Sequence, residues 1–376
     1  MDKLFLLDAY ALIYRAYYAF IRTPRINSKG LNTSAILGFC NTLNEIINKE
    51  HPTHIGVAFD HGKTFRHEAF PEYKAQREET PEDIKLSVPI IKELLTAFNI
   101  PIFQCDGFEA DDVIGTLATK AGAMGIETYM LTPDKDYGQL VTENVFIYRP
   151  RHGGGYDIIG AGQIEEKYGI KSPAQVIDLL ALMGDKADNF PGCPGVGEKT
   201  AVKLINDFGS VEELISRSAE VKGKLREKIE AAADDIRMSK FLATIRTDVP
   251  IELNLDSLRL VEPDKEKLSS LFAELEFKTL ADKFLNKGEK KQKTDNIQLS
   301  LFEEFPTDGK DESENSILAS LKNSPHDYKL VDTQEKLTEL YDFLRTKEIL
   351  SLDTETTSTS AVDAELVGLS FSVEEN

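Results

Sequence analysis

The sequence predicts an α/β protein built on a parallel sheet, followed by a helical region, a linker and the beginning of a second α/β domain. Three observations lead to this prediction. Short apolar segments alternate with helical patterns over residues 3–148, strand signals nearly vanish over residues 163–287, and charged and polar residues then predominate. Alternating strands and helices are typical of βαβ units, whose strands are parallel.

Strands are expected at the short apolar segments of the first half, which are residues 3–7, 54–59, 101–104, 126–131 and 145–148. The helical patterns between them include residues 34–48, 82–99 and 110–123. The last of these is followed by Gly125, where a C-terminal cap belongs. We therefore expect an α/β core over residues 1–165 and a helical subdomain over residues 166–286.

The remaining chain divides into two parts. Residues 287–325 are mostly charged and polar, which is typical of a flexible linker. In residues 326–376, one helix is expected over about 333–346, with strands at 328–331, 349–356 and 366–373. So small a sheet would leave its edges unpaired, so we expect this part to be the truncated start of a larger domain.

The composition indicates a globular protein of the cytoplasm. Of the 376 residues, 41% are hydrophobic and 29% are charged. No apolar run reaches the roughly 18 residues of a membrane-spanning helix, and Asp8 interrupts the apolar start of the chain, which argues against a signal peptide. Cys40, Cys105 and Cys193 lie too far apart for a disulfide framework or a zinc motif. We expect no membrane partner.

The formal net charge of −20 argues against a nucleic-acid partner, unless many of the acids surround metal ions. The positions of the acids favour that exception. Seven of them follow four successive predicted strands and two lie in the helical region: Asp8, Asp60, Glu109, Asp111, Asp112, Asp134, Asp136, Asp185 and Asp188. Because the carboxyl ends of parallel strands meet at one edge of a sheet, these side chains should converge.

Converging carboxylates repel one another unless cations neutralise them. Oxygen ligands without cysteine or histidine favour Mg²⁺ or Mn²⁺ over zinc. Without these nine acids the net charge is −11, and two divalent ions would add four positive charges, so a polyanionic substrate is no longer excluded. Each acid alone also suits a structural role: Asp8 or Glu109 as a helix N-cap, and Asp111 and Asp112 in a first helical turn.

Two further segments suit a phosphate backbone. Residues 64–77 interleave cations with aromatic rings, which suits phosphates and stacked bases, although a solvated loop face would look the same; the residues are Phe65, Arg66, Tyr73, Lys74 and Arg77. Residues 191–205 combine glycines with a helix that begins near Glu198 and carries Lys199 and Lys203. Backbone amides there would hold a phosphodiester without reading bases, and the alternative is a Gly-Pro turn.

Five segments together resemble the 5′-nuclease module of the bacterial DNA polymerase I family, which is related to the flap endonucleases. They are LFLLDAYALIYRA (residues 4–16), TFRHEAFPEYKAQR (64–77), FEADD (108–112), TPDKD (132–136) and ALMGDKADNFPGCPGVGEKTA (181–201). The resemblance covers residues 1 to about 287. It implies a PIN-like core and a metal-dependent 5′→3′ exonuclease and flap endonuclease of DNA replication and repair.

The resemblance also implies roles for individual residues. The nine acids would bind two Mg²⁺ or Mn²⁺ ions for two-metal hydrolysis, and Tyr73, Lys74 and Arg77 would position the substrate. Residues 185–203 would form a helix–three-turn–helix that grips duplex DNA and in relatives can hold K⁺. Tyr14 lies in the family's first-helix motif, and the expected DNA contacts are Arg15, Arg66, Gly192, Gly195, Gly197, Lys199, Thr200 and Lys203. The expected partner is DNA with 5′ flaps, nicks or junctions, bound by a monomer.

Two shorter resemblances lie further along the chain. Residues 351–373 resemble the first motif of an RNase H-like 3′→5′ exonuclease domain, in which Asp353 and Glu355 would bind metal. Only this motif is present, so neither proofreading nor polymerisation is expected. In the linker, the pentapeptide QLSLF is similar to the peptide that bacterial proteins insert into the sliding clamp, with contacts from Gln298, Leu299, Leu301 and Phe302.

Three other functions would also use part of this pattern. A PIN-like ribonuclease also uses converging carboxylates, but the glycine-rich segment disfavours it. A DNA-junction binder tethered to the clamp would be favoured by a missing ligand, and none is missing. An aspartyl phosphatase would need a second acid two positions after the first, which Asp8-Ala9-Tyr10 does not supply.

Overall fold

The computed structural model describes residues 2–151, 154–285, 329–347, 350–356 and 366–373. They belong to two compact units, Met1–Phe305 and Pro306–Asn376. The linker prediction for residues 287–325, including the clamp-like pentapeptide, lies outside the described residues. None of the helices in the described ranges combines the length and the apolar character needed to cross a membrane.

A six-stranded sheet forms the centre of the first unit. Its strands are β1 (Lys3–Asp8), β2 (His54–Ala58), β3 (Ile102–Phe103), β4 (Glu127–Leu131), β5 (Val145–Pro150) and β6 (Tyr156–Ile159). They lie in the order β3-β2-β1-β4-β5-β6, in which β1 to β5 are parallel and β6 is antiparallel to β5. Asp8 pairs with Ala58 and Leu7 pairs with Leu131, so β1, β2 and β4 end at one level.

The helices of this unit follow or connect the strands. They are α1 (Ala9–Ala19), α2 (Ser34–Glu45), α3 (Phe65–Ala69), α4 (Glu82–Ala97), α5 (Ala110–Ala123), α6 (Ala161–Tyr168), α7 (Val176–Met183), α8 (Glu198–Phe208), α9 (Val211–Ser216), α10 (Lys224–Ala231), α11 (Ala233–Ala243), α12 (Leu255–Leu258), α13 (Lys265–Leu275) and α14 (Lys278–Leu285).

Both faces of the sheet are buried, because the side chains of β1 alternate between two hydrophobic cores. Leu4 and Leu6 pack with α5 and with the helices of residues 164–258. Phe5 and Leu7 pack on the other face with α1, α2, α4, α13 and α14. A parallel sheet needs helices on both faces, and the almost uninterrupted apolar sequence of β1 reflects this. Since the helices cover the faces of the sheet, its carboxyl edge is left available for a functional site.

The five strands predicted in the first half are confirmed, with small differences at their ends. The strand expected at residues 101–104 is only Ile102–Phe103, and the helix expected at 34–48 ends as a π-helical turn, Ile46–Glu50. Strand β6 was not predicted, because four residues at a sheet edge carry little periodicity. Among the described residues 160–285 no strand occurs, as expected.

The second unit contains helix α15 (Gln334–Leu344) and the antiparallel strands β7 (Ser351–Thr356) and β8 (Leu366–Ser372). Thr333 caps the helix, since its Oγ1 accepts a hydrogen bond from Lys336 N. The prediction of a strand at residues 328–331 is wrong for 329–331, which precede the cap without pairing to any described strand. The RNase H-like fold and the metal roles of Asp353 and Glu355 stay predictions.

Candidate active site

Asp8 lies where β1 passes into α1, at the carboxyl edge of the sheet. Its Oδ1 accepts a hydrogen bond from Ala11 N at 3.1 Å, and its Oδ2 accepts one from Thr132 Oγ1 at 3.3 Å. Asp8 therefore is a helix N-cap and a member of the acidic cluster at once. Burial and the charges of Asp60 and Asp134 raise its pKa to about 7.

Asp60 and Asp111 also belong to the acidic cluster, and they are positioned by β2 and by helix α5. Asp60 follows β2, and its Oδ1 accepts a hydrogen bond from Ala110 N, in the first turn of α5, at 2.7 Å. Asp111 is in the same turn, and its Oδ1 accepts a hydrogen bond from Tyr137 OH at 2.8 Å. Burial, followed by the charges of Asp8 and Asp134, raises the pKa of Asp111 well above its usual range.

Asp134 and Asp136 follow β4. Asp134 Oδ1 accepts a hydrogen bond from Asp136 N at 2.8 Å. Asp136 Oδ1 is buried and has no hydrogen-bond partner in the described part of the chain. Burial and the neighbouring charge of Asp134 raise the pKa of Asp136 to about 8. A buried carboxylate oxygen without a partner needs a proton or a cation.

The cations predicted to hold phosphate lie against these acids. Lys74 Nζ is 2.8 Å from Glu109 Oε1 and 4.0 Å from Asp188 Oδ2, while Tyr73 OH donates to Glu109 Oε2 at 3.2 Å. Arg77 pairs with Asp188. Although burial lowers the pKa of Lys74, the charges of Glu109 and Asp188 raise it above its usual value, so the amine stays charged.

Asp185 and Asp188 reach the cluster from a tight loop after α7. Asp185 Oδ1 accepts a hydrogen bond from Ala187 N at 2.7 Å, and its backbone pairs with Phe190. Lys135 Nζ lies 3.5 Å from Asp185 Oδ2 and joins this loop to the loop after β4. Gly184 begins the turn with φ of +67°, where a Cβ would lie 2.7 Å from Phe190 O. The turn therefore requires glycine.

Arg66 and Asp112 form a buried ion pair, and the roles predicted for them, as a DNA contact and a metal ligand, are wrong. Arg66 is 2% exposed, and its Nη1 and Nη2 donate to the two carboxylate oxygens of Asp112 at 2.7 and 2.8 Å. Its Nε and Nη2 also bond the carbonyls of Leu242 and Thr244. Arg66 is too deeply buried to contact DNA, and Asp112, which is 0% exposed, has both oxygens committed to this network rather than to a metal.

The glycine-rich segment divides into buried and exposed parts. Gly192 is buried, its N–H donates to Ser239 Oγ, and a Cβ would lie 2.3 Å from Gly184 N. The prediction that Gly192 contacts DNA is therefore wrong, because it packs against the acidic loop. The exposed members of the segment surround the start of α8, and they are Gly195, Gly197, Lys199 and Lys203, with Thr200 half-buried beside them.

The first-helix motif contributes Tyr14 and Arg15 of α1. Tyr14 OH donates to Thr80 Oγ1 at 2.9 Å, and Arg15 Nη2 donates to the Arg151 carbonyl at 3.3 Å. Arg15 has an exposed side chain that can reach solvent. Neither residue contacts a carboxylate among the described hydrogen bonds.

The donor set fits a hard divalent cation. All of its ligands are oxygens, and the orphaned Asp136 Oδ1 is a buried oxygen that such a cation would satisfy. In the described residues, no three acidic, histidine or cysteine side chains are arranged so that they could hold a metal ion without moving. Lys74, Arg77 and Lys135 pair with the acids instead, so ion binding must exchange some of these ion pairs for metal–oxygen bonds.

Comparison with known families identifies the chain. Residues 3–169 match the 5'-3' exonuclease, N-terminal resolvase-like domain, and residues 171–266 match the 5'-3' exonuclease, C-terminal SAM fold. The chain belongs to the 5′-3′ exonuclease family. The resemblance read from the motifs and the predicted fold of the core with its helical subdomain are confirmed.

Relatives of this 5′-3′ exonuclease family member include whole proteins and parts of larger ones. It is 38% identical over 281 residues to the 5'-3' exonuclease of Aquifex aeolicus (strain VF5). This match covers 74% of this chain and 94% of that protein. It is 44% identical over 285 residues to DNA polymerase I of Bacillus subtilis (strain 168), across 75% of this chain and 32% of that protein. The chain thus spans about a third of such polymerases.

A solved structure of T5 5'-exonuclease with bound divalent metal ions (zinc) has the same fold as the first unit. The TM-score is 0.57 at 22% sequence identity, and the match covers 72% of this chain and 99% of that chain. At this identity the likeness concerns the fold.

Sequence reasoning missed the residues that support the acids. Tyr137 and Lys135 stand beside or inside the motif TPDKD, so that motif could have indicated both. The carbonyls of Leu242 and Thr244 gave no signal, since they lie 176 and 178 positions from Arg66 and act through the backbone.

Proposed function

We propose that this chain is a divalent-metal-dependent 5′→3′ exonuclease and 5′-flap endonuclease that hydrolyses DNA phosphodiester bonds. The observation that carries the proposal is the buried, unpartnered Oδ1 of Asp136 within a cluster of acids from four strand ends and from the loop after α7. Eight acids remain in this cluster, which are Asp8, Asp60, Glu109, Asp111, Asp134, Asp136, Asp185 and Asp188.

Asp8, Asp111, Asp134 and Asp136 are the residues that would hold a metal ion most directly, because burial, followed by repulsion from neighbouring acids, raises the pKa of each. Two Mg²⁺ or Mn²⁺ ions, when bound, would lower the pKa of a water molecule and neutralise the charge of the scissile phosphate. The exposed carboxylates of Asp60 and Asp134 leave the cluster open on one side, where a phosphate can approach.

Lys74 and Arg77 would bind the scissile phosphate and stabilise the charge that develops on its oxygens. Lys74 already pairs with Glu109, and Arg77 already pairs with Asp188. A backbone hydrogen bond from Lys74 N to Asp188 O at 3.0 Å fixes this segment against the acidic loop. With the acids bound to cations, Lys74 and Arg77 would be free to contact the phosphate. Tyr73 OH donates to Glu109 Oε2 and would keep this carboxylate oriented.

The start of α8 would hold duplex DNA through its backbone. Gly195, Gly197, Lys199 and Lys203 are exposed together there, and nothing lies within 4 Å of the position that a Gly197 Cβ would take. Amides and lysines address phosphates rather than base edges, so specificity would be for DNA shape, such as flaps, nicks and junctions. We also propose K⁺ binding within residues 185–203.

The wider context of the activity follows from the family. We propose that the chain acts as a monomer in the cytoplasm, as part of a DNA polymerase I that works in replication and repair. The sliding clamp would bind the pentapeptide at Gln298–Phe302. A peptide of residues 293–307 titrated with the clamp tests this contact, and replacing Leu301 and Phe302 with alanine should abolish it.

The deciding experiment is cleavage of a labelled 5′-flap DNA with Mg²⁺ and with a chelator, beside the same flap made of RNA. Cleavage near the flap base that requires Mg²⁺ and prefers DNA supports the proposal. Asp136→Asn should reduce the rate at least about a hundredfold, because one metal ligand loses its charge. Cleavage that persists in the chelator, or that prefers RNA, would overturn it.

A further inference from the structure

A cleft of about 320 Å³ opens beside the acidic cluster, on the side of the β5–β6 pair. It begins at Asp134 and Lys135, in the loop after β4, and runs along α6 as far as Tyr168. Its floor is apolar and consists of Ile147, Ile159 and Ile164. Its volume is at the lower end of the range for small-molecule pockets, which suits a group about as large as one nucleotide.

The rim of the cleft carries an excess of positive charge. Arg149 Nη2 is 3.2 Å from Asp157 Oδ2, and Arg151, which does not line the cleft itself, has its Nε 3.4 Å from the other oxygen of the same carboxylate, so two guanidinium groups share one acid. Lys167 stands on the rim, where its Nζ lies 3.1 Å from Tyr168 OH. In the described residues no acid lies within ion-pair distance of Lys167.

This arrangement differs from the acidic cluster next to it. Lys135 belongs to both, since it lines the cleft and pairs with Asp185 at 3.5 Å. When the scissile phosphate of a DNA strand lies among the acids, the next nucleotide of that strand can therefore reach the cleft. The cations of the cleft would neutralise its phosphate, and the apolar floor would contact its sugar or base. Phosphates suit the cations, and a sugar or base suits an isoleucine floor with an aromatic ring at its end.

We propose that this cleft holds a nucleotide of the cleaved DNA strand next to the scissile phosphate, with the phosphate on Lys167 and Arg149. The inference rests on the nuclease function proposed above. The cleft gives the strand a direction across the acids, because it combines Lys167 and Arg149 with an apolar floor on the side of the β5–β6 pair. Lys167 is then a binding residue outside the metal cluster.

The test measures binding rather than cleavage. Full-length protein is titrated into fluorescent 5′-flap DNA in a chelator at several salt concentrations, and anisotropy gives the dissociation constant. Lys167→Ala should raise the dissociation constant about three- to tenfold and reduce the magnitude of the salt slope by about one, because one phosphate contact is lost. Adding Arg149→Ala should reduce the slope further, and far-ultraviolet circular dichroism of both variants reports whether they fold.

The matched control is Lys265→Ala, which removes the same charge from the opposite edge of the sheet. Lys265 begins α13, directly after Asp264, whose N–H donates to the Ala97 carbonyl at the end of α4, just before β3 starts. This control should bind as the wild type does. If Lys167→Ala matches the control in affinity and salt slope while the wild type cleaves flaps, the cleft proposal fails and the nuclease function stands. A wild type that cleaves no flap overturns both.

Discussion

At the scale of single residues, the buried pair of Arg66 and Asp112 determines where Glu109 lies. Asp112 Oδ2 accepts a hydrogen bond from Glu109 N at 3.0 Å, and Arg66 Nη1 lies 3.4 Å from Glu109 Oε2. The same Asp112 accepts a hydrogen bond from Arg246 N at 2.8 Å. One ion pair thus joins the start of α5, the chain after α11 and an acid of the candidate active site.

Asp112→Asn should destabilise the protein by about 3–5 kcal/mol, because Arg66 would keep a buried charge without its partner. Urea denaturation measures this change in the free energy of unfolding. The matched control is Asp248→Asn, which changes an equivalent aspartate whose partner, Arg246, lies at the surface. The control should unfold at nearly the wild-type urea concentration. Equal midpoints for the two variants would contradict the structural role of Asp112.

At the scale of elements, the loop after α7 depends on the backbone of Gly184. Gly184→Ala places a methyl group 2.7 Å from Phe190 O at a φ of +67°, so the loop that carries Asp185 and Asp188 must move. We expect a loss of about 1–3 kcal/mol in stability together with a fall in kcat for flap cleavage. Thermal denaturation and single-turnover kinetics measure the two effects.

Gly209→Ala provides the control for that prediction. Gly209 also follows a helix with positive φ, at +90°, but nothing lies within 4 Å of its added Cβ. The control should lose stability through backbone strain alone and keep its kcat. If both variants lose activity equally, the contact with Phe190 does not position the acids.

The start of α8 gives a second prediction at this scale. Replacing Lys199 and Lys203 together with alanine should weaken duplex DNA binding by a similar factor for every sequence, with a salt slope reduced by about two. Far-ultraviolet circular dichroism should remain unchanged, because both side chains are exposed. A loss of binding that depends on base sequence would contradict a backbone grip.

A comparison of the predicted and observed elements shows which features the sequence alone can predict. Acids after successive strands were predictable as a cluster, because parallel strands share one carboxyl edge, and the register of Asp8 with Ala58 confirms that edge. The burial of Arg66 was not predictable, since Asp112 lies 46 positions away and local sequence around an arginine does not reveal whether it turns inward. The short edge strand β6 was not predicted, because its four residues show too little alternation of apolar and polar side chains.

At the scale of the whole molecule, the acidic cluster links folding stability to pH and to metal. Burial and mutual repulsion raise the pKa of Asp8 to about 7 and of Asp136 to about 8. The folded protein therefore holds these protons more tightly than the unfolded chain, whose aspartates titrate near pH 4. Stability from these groups is present below about pH 4 and is lost as pH rises through 7 to 8.

In a chelator, the free energy of unfolding of the wild type should therefore fall between pH 5 and pH 8 by more than that of Asp136→Asn, which cannot ionise at this position. Mg²⁺ should restore stability to the wild type at pH 8, because an ion that binds the folded state favours it. Urea denaturation at both pH values, with and without Mg²⁺, measures the four free energies. Parallel pH profiles for wild type and variant would contradict the link.

The double role of Asp8, as the cap of α1 and a member of the acidic cluster, has a consequence for reagents made from this chain. Asparagine caps a helix about as well as aspartate, because its side-chain oxygen can also accept the bond from Ala11 N. Asp8→Asn thus removes the negative charge and keeps the helix start, whereas Asp8→Ala removes both. A folded protein that binds DNA and leaves it uncut is what trapping and co-crystallisation of a nuclease require, and asparagine at this one position should separate the two properties.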